Sequence, residues 1–110
     1  MQRRKRFQVY WAKSALLDLG SIIHYLSRDN SAEAARVLDK IETSALRLAH
    51  FPHRGRIVPE LREQGISIYH EIFYKSWRIV YRIEGARVWI LAVIDGRRNL
   101  EDLLFERFLY

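Results

Sequence analysis

The run Val88-Trp89-Ile90-Leu91-Ala92-Val93-Ile94 is apolar at every one of its seven positions. It is too short to cross a bilayer, which needs about 20 such residues. As a strand it is apolar at both parities, and a strand of that kind is buried on both faces. Any fold of this chain must therefore set one layer above it and another below. The chain has 110 residues, the size of a single domain. Helices are expected to cover one face, and the other is expected to be covered by something else.

The first half supplies the helical layer. Phe7, Val9 and Trp11 alternate with Gln8 and Tyr10 as in a short strand. From Ala12 the apolar period changes: Leu16, Leu19, Ile22, Ile23 and Leu26 recur at helical spacing until Arg28-Asp29-Asn30. Asn30 followed by Glu33 is a helix-start pattern. Ala34, Val37, Leu38, Ile41, Ala45 and Leu48 then share one face, and Pro52 ends the second helix near His50. Two amphipathic helices on a short loop form a hairpin whose apolar side needs a partner.

The second half supplies strands. Phe51 to Gln64 reads as an irregular connection with room for one short strand. Ile66, Ile68, His70 and Ile72 share a parity. After a break at Tyr74-Lys75-Ser76, Trp77, Ile79, Tyr81 and Ile83 occupy one face of a strand, with Arg78, Val80 and Arg82 on the other. Glu84-Gly85 is a turn signal leading into the apolar run. Asn99 reads as the cap of a short C-terminal helix from Leu100 to Tyr110. The expected fold class is α+β, a helical hairpin packed on a curved antiparallel β-sheet with a short C-terminal helix, over one domain spanning 1–110.

Composition removes whole classes of chemistry. There is no cysteine, which excludes a disulfide scaffold, a thiolate metal site and a cysteine nucleophile. His50 and His53 flank Phe51-Pro52 and cannot share a helical face, so no metal site and no cofactor are expected. No phosphate-binding glycine loop and no nucleophile elbow occur. The net charge is +6, and its distribution is uneven. Four positive charges fall in residues 1–11, with 1–6 read as a flexible basic tail; residues 12–50 are neutral; residues 76–98 carry +3. Arg78, Arg82, Arg97 and Arg98 therefore form a candidate basic surface, suited to phosphate by the two parallel donors of each guanidinium. In the structural alternative, Arg82 pairs with Glu84 or Glu71 and Arg78 covers sheet surface. A metal-free ribonuclease would need a base and an acid beside these arginines. Strand parity sets His70 and Glu71 on opposite faces and turns Tyr81 away from Arg78, so packing is the expected role of His70 and Tyr81.

The segment Trp77 to Ile83, followed by Val88 to Ile94 and Gly96-Arg97-Arg98, resembles the C-terminal half of RelE/ParE-superfamily toxins. Trp11-Ala12 leading into Ala15-Leu16-Leu17-Asp18-Leu19, Ala34-Ala35, and Phe51-Pro52-His53-Arg54-Gly55-Arg56-Ile57-Val58-Pro59-Glu60-Leu61 agree, the last favouring the ParE-like branch. The resemblance spans about residues 7–100. It implies the toxin of a bacterial type II toxin–antitoxin module, cytoplasmic and with no membrane association, neutralised by a cognate antitoxin and touching operator DNA only through the complex with it. Its implied target is DNA gyrase, and so replication. The alternative is a RelE-like, ribosome-dependent endoribonuclease acting on mRNA, with Arg78, Arg97 and Arg98 as catalytic residues; Asp95 stands where many relatives have histidine. The residues implied for antitoxin or target binding are Arg78, Val80, Arg82, Trp89, Leu91, Val93, Arg97 and Arg98, with antitoxin as the second cover over Val88 to Ile94. A third reading, outside the toxin class, is a nucleic-acid-binding module using the Arg3–Arg6 tail.

Overall fold

The computed structural model describes residues 6–97 and 100–109. Strand β1 (Gln8–Trp11) leads into helices α1 (Lys13–Ser27) and α2 (Ser31–Leu46), the latter ending in a 3₁₀ turn at Arg47–Ala49. Strand β2 (Arg56–Ile57) and the single-turn helix α3 (Pro59–Arg62) precede β3 (Tyr69–Tyr74), β4 (Trp77–Glu84), β5 (Arg87–Asp95) and α4 (Leu100–Phe108). The expected helical hairpin is α1–α2. Asn30 caps α2 through Oδ1, which accepts from the Glu33 amide at 3.1 Å, an interaction typically worth about 1 kcal/mol.

The five strands form one sheet in the order β1-β5-β4-β3-β2. Neighbours are antiparallel except at one edge, where β1 runs parallel to β5. The parallel edge arises because β1 enters the sheet beside the last strand, with the helical hairpin as the start of a long crossover.

Two apolar clusters sandwich the sheet. On the hairpin side Ala15, Leu19, Val37, Ile41, Ala45 and Leu48 meet Ile72, Trp77, Ile79, Tyr81, Val88, Ile90 and Val93. On the other side Val80, Ala92 and Ile94 meet Val58, Leu61 and Leu104. That second cover comes from the chain itself, through α3 and α4. It replaces the expectation that antitoxin covers this part of β5. The change of side along β5 comes from a bulge: Val80 pairs with Ala92 but Tyr81 with Ile90, so Leu91 is an extra residue. It moves Val93 rather than Ala92 to the hairpin side, one reason both parities are apolar. The Asn99 cap lies outside the described residues.

Candidate functional site

Arg78 lies on the α4 side of β4, opposite Phe73 of β3 and Ile94 of β5. It is 3% exposed. Its Nη1 and Nη2 donate to the two carboxylate oxygens of Glu60 at 2.8 and 2.9 Å, and its Nε donates to Glu71 Oε1. Glu71 is itself fully buried and accepts from Arg56 Nε at 2.8 Å through its other oxygen. The Arg56 and Arg78 guanidinium carbons sit 5.0 and 5.9 Å from the Phe73 ring centre.

Local sequence explains how these groups meet. Pro59 at the first helical position starts α3 and places Glu60 over the sheet. The pairing of Arg56 with Glu71 sets β2 against β3. Burial opposes the Arg78 charge, but hydrogen bonds to Glu60 and Glu71 outweigh it and keep its pKa above the ordinary arginine value. The same bond from Arg78 pulls the Glu60 carboxyl below its usual range, against burial. Two cations and two anions therefore form a neutral, closed network. The expected joint surface of Arg78, Arg82, Arg97 and Arg98 is not what these contacts build: Arg78 faces inward with its donors engaged. It does not merely cover sheet surface either.

The remaining expected site residues divide between two clefts. Arg82, Trp89 and Leu91 line one of about 420 Å³, joined by Tyr69, Arg107 and Phe108. Val93 and Arg97 line another of about 460 Å³, with Tyr25, Trp77 and Leu103. Val80 is fully buried beneath α3 and α4. Arg97 is exposed and chelates Asp95, its Nε and Nη2 each 3.0 Å from a carboxylate oxygen. Arg98 lies outside the described residues. Arg82 approaches Glu84 only to 3.9 Å.

His70 and Tyr81 pack as expected. Their rings stack 5.7 Å apart on the hairpin side, and the Tyr81 hydroxyl donates to the Pro52 carbonyl at 2.7 Å while accepting from the Gly55 amide at 3.1 Å. Gly55 is required there, since a Cβ would stand 2.5 Å from both the Glu71 carbonyl and that hydroxyl. Sequence reading missed Tyr10, Tyr69, Arg107 and Phe108. The outward parity of Tyr10 and Tyr69 was the available signal. For Arg107 there was none, because its partners Asp18 and Leu91 are remote in sequence.

A helical hairpin on one side of a small sheet, with a short C-terminal helix on the other, is a fold of toxins from two-component toxin–antitoxin systems. It superposes on the chromosomal ParDE toxin–antitoxin system of P. aeruginosa with a TM-score of 0.66 at 17% identity, covering 83% of this chain and 97% of that one. On the RelBE2 toxin–antitoxin complex of Mycobacterium tuberculosis the TM-score is 0.63 at 19% identity, covering 86% and 97%. The chain belongs to the ParE toxin family: the model for the ParE toxin of the type II toxin–antitoxin system parDE matches residues 9–100. It is 34% identical to Toxin ParE3 of Caulobacter vibrioides over 84 residues, 76% of this chain and 80% of that one. Among the described residues no helix is long and apolar enough to cross a membrane.

Proposed function

We propose that this type II toxin acts in the cytoplasm by inhibiting DNA gyrase, and that a cognate antitoxin neutralises it by occupying its sheet-side clefts. Membership of the ParE family supports the toxin class, and the observation that carries the choice of target is the closed network around Arg78. A ribonuclease of the RelE type needs guanidinium donors aimed at the charge that develops on phosphorus. Here each terminal nitrogen of Arg78 already donates to Glu60 and its Nε to Glu71, and Asp95 engages Arg97. The base and acid are equally out of place, since Tyr81 packs in the hairpin-side core and His70 stacks on it.

Toxicity then rests on binding a large protein rather than on bond cleavage. Purified toxin is expected to block gyrase supercoiling of relaxed plasmid, and an equimolar amount of antitoxin to restore it. Unaltered supercoiling at high toxin excess, together with mRNA cleavage on programmed ribosomes, would overturn the reading in favour of the ribosomal target.

A further inference from the structure

Four side chains on the α4 side of the sheet, of which Tyr10 is exposed and the rest half-buried, form a row across four strands, at the end remote from Arg78. Tyr69 pairs with Arg82, Arg82 with Trp89, and Trp89 with Tyr10, so β3, β4, β5 and β1 each contribute one. At one end the Tyr10 and Trp89 rings stack with centres 4.9 Å apart. At the other, Tyr69 lies 4.7 Å from Phe108 of α4. Arg82 stands between the two aromatic pairs with its side chain 42% exposed, and its one ion pair among the described residues reaches only to 3.9 Å, with an exposed glutamate, a contact worth little.

We propose that this row is a stacking platform for single-stranded nucleic acid. Strands lie about 4.8 Å apart, so the row spans roughly 14 Å, enough for two or three splayed bases. The two aromatic pairs flank a cleft lined by Arg82, and a base entering it would stack on the guanidinium plane between them, a contact open to any base because every base has a π-face. The surrounding charge favours an anion: Arg6 and Arg87 are exposed at the same end of the sheet, while Glu84 is the acidic residue lining that end. Arg107 is neutralised by Asp18 and closes the cleft rather than charging it. The proposal is independent of the gyrase reading, which supercoiling tests separately.

The experiment is fluorescence anisotropy of the full chain with a short labelled oligothymidylate, an oligouridylate and a duplex of equal length. The single strands are expected to bind more tightly than the duplex, with affinity falling as salt rises. Trp89→Ala is expected to weaken single-strand binding roughly 5- to 150-fold, and Trp89→Phe to retain most of it. Arg82→Ala should lower the salt slope by about one. Because Trp89 is half-buried, Tyr10→Ala, at an exposed position, is the second stacking variant. Equal affinity for duplex and single strand, or affinity unchanged in both Tyr10→Ala and Arg82→Ala, overturns the proposal. So does affinity that disappears when only residues 1–5 are removed. No oligonucleotide binding by the parent, with antitoxin binding lost in the row variants, overturns it as well and leaves the row to the antitoxin proposed above for the same cleft.

Discussion

Arg78 holds Glu60 and Glu71 together beneath the helix that follows the second strand, donating to both carboxylates from a side chain almost wholly out of water. Removing it leaves the buried Glu71 carboxylate with Arg56 as its remaining ion-pair partner among the described residues, and Glu60 without its bidentate partner. Arg78→Ala is therefore expected to lower stability by about 3–5 kcal/mol, measured by denaturant unfolding. Arg78→Met combined with Glu60→Gln and Glu71→Gln should recover most of that, because no buried charge is then stranded. Any activity assay on Arg78→Ala has to be read beside its unfolding midpoint. His70 acts in the opposite sense. Its Nδ1 is buried with no hydrogen-bond partner among the described residues. Burial first, and His53 second, hold its pKa below the ordinary 6.5. The unfolded chain then takes up the proton more readily than the folded one. Stability from this group is present above pH 6.5 and is lost as pH falls from there through the lowered folded value. Melting temperature should fall over that window, and His70→Phe should flatten the fall.

The bulge at Leu91 shows how the elements are tied together. Its carbonyl accepts from Ser14 Oγ at 3.0 Å and from Arg107 Nη2 at 2.9 Å, and the Val93 amide donates to Asp18 at 3.0 Å. Groups freed from the strand ladder are thus taken up by α1 and α4. Asp18→Ala leaves the Val93 amide without its acceptor and Arg107 with only the Leu91 carbonyl, and is expected to cost about 1–3 kcal/mol. It should also speed hydrogen exchange at Val93 more than at Ile79. Helices α1 and α2 were legible in the sequence because an amphipathic period and a cap are local signals. So was the facing of Trp77, Ile79 and Tyr81 towards them. Helix α3 was not, since Pro59–Arg62 is one turn and too short to carry a period. The parallel edge was equally hidden, because the pairing of β1 with β5 leaves no mark near either strand. The site was legible as a list of arginines on the right strands, but their partners were not: Glu60 and Glu71 lie 18 and 7 residues from Arg78, on elements whose meeting only the fold decides.

At the scale of the whole molecule, α4 does what a partner was expected to do. It covers Val80, Ala92 and Ile94 with Leu104, flanked by Leu100, Leu103 and Phe108. A chain ending at residue 97 should therefore expose an apolar sheet face, bind a hydrophobic dye and self-associate at concentrations where the full chain stays monomeric by light scattering. An unchanged monomer would mean that α3 alone suffices. The placement of β1 carries a consequence for how the protein comes into being. Trp11 finds its neighbour in Ile90, so the roughly 80 residues between them must be made before the sheet's last edge can close. At about 5–20 residues per second that interval is on the order of ten seconds. During it the nascent helical hairpin has no completed sheet to rest on. The first and fifth strands, and with them Tyr10 against Trp89, come together only after β5 has been made, so a product terminated before β5 carries none of that face.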